Sequence, residues 1–310
     1  MYRAHLHRIE LSPDEQLISQ RLHRHVDMLA SLIGPRHWWK YDMLMAAQRY
    51  VESQLAENGL AVERQTYEVM GRAVSNLIVE QRGQRKPEQI LVLGAHYDTV
   101  DTTPGADDNA SAVAGLLEIA HQLSQRRFKR TIRYVAFVNE EPPFYKSENM
   151  GSLRYARRCA KRDETIIGMI NLEMIGCYSD AKGSQSYPPL KGLDRVLPSR
   201  GNFIVICSDI ASARFLSRVA WGFRRTVRFP LLPFPAPRSV SGPDMSDNWS
   251  FWQCEYPAVM VTDTSFLRND NYHKPGDRLE TLNFPAMTRV IQGVAGALAR
   301  IAGPIKSTKT

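Results

Sequence analysis

Apolar positions along the chain recur with two periods, and the change from one to the other sets out the elements. Ser12-Pro13-Asp14-Glu15 has the form of a capping box with proline at the first helical position. Leu22, Val26, Leu29 and Ile33 follow at helical spacing until Gly34-Pro35 ends the run. A second amphipathic helix carries Leu44, Ala47, Val51 and Leu55 and ends near Gly59. Residues 61–69 and 74–81, separated by Met70-Gly71, read as the outer strands of a sheet. From Ile90 the strands become continuously apolar and alternate with helices. Strands are predicted at 90–95, 131–138, 165–172, 202–207 and 257–261, and helices at 110–125, 150–158, 211–222, 247–252 and 284–301. Such strands need cover on both faces, so the pattern predicts a three-layer α/β/α fold around a mixed, mainly parallel sheet. Ligands of such a sheet lie outside the carboxyl ends of its strands. Residues 177–201, and a second segment marked by Pro230, Pro233, Pro235, Pro237 and Pro243, are predicted to be irregular and to wall a pocket. Along the chain, 1–36 reads as an N-terminal helix and lead-in, 37–304 as a single domain, and 305–310 as a disordered tail.

Composition narrows the partners. The 310 residues are 43% hydrophobic, enough for a sizeable core. Lys and Arg number 40 against 32 Asp and Glu, a formal charge of +8, but the basic residues are scattered. The densest groups, at 126–130 and 157–162, fall where helices expose a face, so no nucleic-acid partner is predicted. No window approaches the ~18 apolar residues of a membrane span, and residues 1–16 have no apolar leader core, so no membrane partner is expected either. Cys159, Cys177, Cys207 and Cys254 form no CxxC pair and read as reduced packing residues. The expected location is cytoplasmic, with a removed secretory signal left open; so is the oligomeric state.

The candidate chemistry centres on residues 91–111, LVLGAHYDTVDTTPGADDNAS. In an extended backbone His96 and Asp98 face the same space at a strand's end. About ten residues on, a turn into a helix brings Asp107 or Asp108 beside that end. Imidazole with carboxylates suits a borderline divalent metal such as zinc. An exposed loop with an Asx turn and a helix N-cap would use the same residue types. The next apolar run ends in Asn139-Glu140-Glu141, whose neighbouring carboxylates point opposite ways, so one can bind metal while the other serves as general base. Glu173 is the first carboxylate after the run at 165–172, and His273 follows the run at 257–261 by a short loop. The remaining histidines, His5, His7, His23, His25, His37 and His121, read as exposed. Three strands of one sheet delivering their first ionisable side chains at the same end argue for a shared site.

These segments, HYD at His96, GADDNAS at Gly105, NEE at Asn139, NLEMIG at Asn171 and YH at Tyr272, resemble in this order the zinc-dependent exopeptidases that include bacterial leucyl aminopeptidases, glutamate carboxypeptidase II and the glutaminyl cyclases. The resemblance spans about residues 40–303 and implies a pair of zinc ions. It matches Asp108 to the bridging carboxylate, His96 and Glu173 to one ion, and Glu141 and His273 to the other. Glu140 falls on the general base, Asp98 on the carboxylate that orients His96, and Tyr272 on a residue that helps hold the oxyanion. Many relatives have aspartate where Glu173 stands, and Pro142-Pro143-Phe144-Tyr145-Lys146 replaces a glycine-rich continuation. The implied reaction is that of an aminopeptidase acting on peptides or amino-acid amides through a zinc-bridging water. The alternatives are a glutaminyl-cyclase-like acyltransferase with a single zinc, held by Asp108, Glu141 and His273, and a silent binding protein on the same fold.

Overall fold

In the computed structural model, residue 6 and residues 9–187 and 197–305 are described. The chain opens with helix α1 (Pro13–Val26), which runs on as a wider helical turn over Asp27–Ile33, and then α2 (Tyr41–Ala56). The predicted capping box is present: the Ser12 side chain accepts the Glu15 N–H, and the Glu15 carboxylate accepts the Ser12 N–H at 2.8 Å. A hairpin of β1 (Val62–Val69) and β2 (Arg72–Gln81) precedes β3 (Lys86–His96), α3 (Ala112–Leu123), β4 (Arg130–Phe137), α4 (Gly151–Lys161) and β5 (Thr165–Glu173). The rest is β6 (Ile204–Asp209), α5 (Ala213–Arg224), β7 (Leu231–Ala236), α6 (Asn248–Gln253), β8 (Ala258–Thr262) and α7 (Phe284–Ala302).

The eight strands form one sheet in the order β1-β2-β4-β3-β5-β8-β6-β7. Its centre, β4-β3-β5-β8, is parallel, while β2 and β6 join it antiparallel. The chain passes from β3 to β4 on one side and then to β5 on the other, so the strand order reverses at β3. At such a point the connections leave a crevice at the carboxyl ends. Both faces are covered, as the continuous apolar strands require. Leu22, Leu55, Leu116, Phe223 and Val294 place α1, α2, α3, α5 and α7 over one face, and Tyr155, Phe251 and Trp252 place α4 and α6 over the other.

Two expectations are corrected. The proline-marked segment contains a strand: β7 pairs with β6 at the sheet edge, with Pro233 and Pro235 two residues apart on the same side of the strand. An edge strand leaves one row of N–H groups unpaired, so it tolerates proline there. Two of the histidines read as exposed are buried. His25 lies against Tyr50, its Nδ1 2.6 Å from the hydroxyl, and burial pushes its pKa down to about 4. His37 accepts the Trp39 N–H at 3.2 Å, and its Nε2 lies 2.9 Å from the Pro142 carbonyl oxygen. In each case specific partners outweigh the average preference of the residue type. His23 and His121 are exposed, whereas His5 and His7, part of the 177–201 loop and residues 306–310 of the predicted tail lie outside the described residues.

Candidate metal centre

The crevice at the end of β3 is built by one carboxylate and one glycine. Asp98 lies 3.6 Å from His96 Nδ1 through Oδ1, and its two oxygens accept the N–H groups of Glu140 and Glu141 at 3.2 and 3.1 Å. A single side chain thus ties the end of β3 to the end of β4. Gly105 opens the turn into α3 at φ 61°, where an added Cβ would meet the Asp108 carbonyl oxygen at 2.2 Å. This turn aims Asp108 into the crevice, with Oδ1 3.5 Å from His96 Nε2 and Oδ2 3.1 Å from His273 Nε2.

The other predicted side chains meet there. Glu173 Oε2 is 3.3 Å from His96 Nε2, Glu141 Oε2 is 3.3 Å from His273 Nε2, and Glu140 Oε2 is 3.8 Å from His96 Nε2. Two groups result, His96–Asp108–Glu173 and Asp108–Glu141–His273, each with its ligand-type atoms within 4.8 Å of one another. Asp108 belongs to both and Glu140 to neither. Tyr272 stacks on the His273 ring at 3.8 Å and 20°. Three backbones beside the crevice, at Asn139, Met174 and His273, have φ of 60°, 45° and 58°. Non-glycine residues take that conformation at a cost of about 1–3 kcal/mol each, tolerated where the surroundings dictate it.

The electrostatics are those of a cation site. Asp98, Asp108, Glu140, Glu141 and Glu173 are all buried, and the nearby Arg36 is one positive charge against them. Burial, reinforced by neighbouring carboxylates, raises Glu140 and Glu173 above the ordinary range and pushes Glu141 up to about 7. Against its own burial, His96 is raised by Glu173 and Glu140, and His273 is raised to about 10 by Asp108 and Glu141. His96 Nε2, Asp108 Oδ1, Glu141 Oε1 and His273 Nε2 are buried with no hydrogen-bond partner. Buried polar atoms of this kind normally have a partner. Two imidazoles and three carboxylates converging here fit a borderline divalent cation.

Several supporting residues escaped the sequence reading. Asp277 accepts the N–H groups of Asp107 and Asp108 at 2.9 and 3.0 Å; burial and Asp107 push it up to about 7. Ser246 donates to Glu173 Oε2 at 2.6 Å, and Asn109 Nδ2 approaches the same oxygen at 3.4 Å. The buried Arg36 guanidinium donates to the carbonyls of Leu29, Gly34, Tyr97, Pro104 and Gly105. Between the twin aspartates the structure discriminates clearly. Asp107 turns away, accepting the Gly176 N–H and the Asn269 amide, toward Cys177 and Asp263.

The model of peptidase family M28 matches residues 76–298. A protein of Escherichia coli K12, YfbL, is 35% identical over 89% of this chain and 86% of its own length. The chain belongs to peptidase family M28. A further relative, a probable zinc metalloprotease of Leptosphaeria maculans, is 25% identical over 70% of this chain, which spans 54% of that protein's length. Among solved structures, a zinc aminopeptidase of Bacillus subtilis superposes with a TM-score of 0.71 at 14% identity, over 92% of this chain and 95% of that one. A Porphyromonas gingivalis glutaminyl cyclase gives 0.67 at 20% identity, over 91% and 98%. At these identities the two structures share the fold, and what each acts on is its own. The M28 chain has no helix long and apolar enough to cross a membrane among the described residues.

Proposed function

We propose that this M28 chain is a zinc-dependent aminopeptidase that removes the N-terminal residue of peptides. The observation that carries the reading is the placement of Asp108 between two ligand groups while Glu140 stands beside them, committed to neither. His96 and Glu173 would hold one zinc, Glu141 and His273 the other, and Asp108 would bridge them. Bound there, the metal supplies an activated water and polarises the scissile carbonyl. Glu140 takes the proton of the attacking water and passes it to the leaving amine. Its burial keeps the carboxylate free of bulk water, and the Asp98 hydrogen bond to its N–H fixes the backbone that aims it. Tyr272, braced between His273 and Phe266, offers its hydroxyl to the developing oxyanion.

The test is metal analysis combined with a panel of aminoacyl amides and peptides carrying N-terminal glutamine. Two zinc ions per chain with amino-acid release support the reading. One ion with cyclisation and no release would replace it with the glutaminyl-cyclase alternative, which the Asp108–Glu141–His273 group alone would serve. That alternative leaves His96 and Glu173, closed on the other oxygen of Asp108, without a task.

A further inference from the structure

Away from the crevice, arginines are concentrated in one stretch of the chain. Residues 210–243 hold six arginines and no lysine, aspartate or glutamate. Arg214 and Arg218 stand one turn apart on α5, and Trp221 continues the same face. Arg300 enters from the last turn of α7, its guanidinium 5.9 Å from the Trp221 ring. With Ser217 and Ile301 these side chains line an open groove of about 480 Å³. Arg238 and Arg224 have partners in Asp209 and the Leu231 carbonyl. Arg214, Arg218 and Arg300 meet no carboxylate among the described residues.

The groove is remote from the metal centre. Helix α7 starts where the Asn283 N–H meets the Gly176 carbonyl, close to the crevice, and ends where the Gly303 carbonyl accepts the Lys129 N–H, just before β4 begins. Its 19 residues span about 28 Å.

Three like charges converging on one concavity repel unless an anion joins them. Guanidinium is the side chain that matches phosphate oxygens two at a time and also stacks on flat rings. Trp221 is 58% exposed, and the volume lies within the ~300–1,000 Å³ of small-molecule sites. We propose that this groove binds a nucleotide, with its phosphates on Arg214 and Arg218 and its base against Trp221 beside Arg300. A nucleic acid or an anionic membrane would need an extended basic surface rather than one concavity.

Isothermal titration of the zinc-loaded full chain with ADP in magnesium-free buffer tests this. One ADP per chain is expected, weakened about tenfold by Arg218→Gln and further by adding Arg214→Gln. ADP should quench indole fluorescence in the parent and leave Trp221→Phe unquenched, with peptide hydrolysis and melting temperature unchanged in every variant. The proposal is overturned by no ADP binding at millimolar concentration, or by equal binding in the folded variants. It is equally overturned if pyrophosphate binds as tightly as ADP, or if a short oligonucleotide or anionic vesicles bind where ADP does not.

Discussion

The two halves of the candidate metal centre use the same residue types and share Asp108, yet they are held differently. His96 and Glu173 end adjacent strands β3 and β5, and both are buried. Each is fixed from behind, His96 by Asp98 and Glu173 by Ser246. Glu141 and His273 come from loops, the His273 side chain is 30% exposed, and the ring rests on Tyr272 and on the carboxylates it faces. Groups on strands with locked rotamers hold geometry better than groups on loops. On the proposed function, the first half would act as scaffold and the second would be the half that adjusts when a substrate enters.

Removing what the halves share has the largest expected effect. Asp108→Asn should strip both ions and lower turnover by about ten-thousandfold or more, read by metal analysis alongside kinetics. Glu140→Gln removes the proposed proton carrier while leaving both halves intact; a loss of about a hundredfold to ten-thousandfold with metal retained is expected. An active, metal-loaded Glu140→Gln protein would sink its assignment. His273→Ala should leave one ion per chain. Graded chelation of the parent should likewise release metal in two phases, and a single phase would erase the asymmetry. Ser246→Ala should weaken metal retention by about ten- to a hundredfold, with modest change in turnover at saturating zinc. The smallest effect on activity belongs to His25, whose ring faces Tyr50 rather than the crevice side chains. Its folded pKa of about 4 lies below the ordinary ~6.5, so the unfolded chain takes up the proton first as pH falls. Its stabilising contribution is complete above pH ~6.5 and lost down to pH ~4, on the order of 3 kcal/mol. Denaturant melts of the parent and His25→Gln should converge across that window.

Much of the fold was legible because its signals are local. Continuous apolar runs marked β3, β4 and β5, and turn chemistry marked where each run stopped. The crevice was legible for the same reason, since His96, the twin glutamates and Glu173 are the first ionisable groups after those runs. Asp277 was not, because its role rests on two N–H groups about 170 residues away in sequence. Ser246 is 73 residues from Glu173, and a serine before a short helix reads simply as a turn. β7 was hidden because its prolines argue against a strand unless the strand is known to lie at an edge.

Arg36 carries a last consequence. The span shared with the family opens at Asn76 and contains His96, Asp108, Glu141, Glu173 and His273. The guanidinium that gathers the carbonyls of Tyr97, Pro104 and Gly105 comes from forty residues earlier. A protein trimmed to the shared span would keep all five of these side chains, but the loop that presents Asp108 would have lost its anchor.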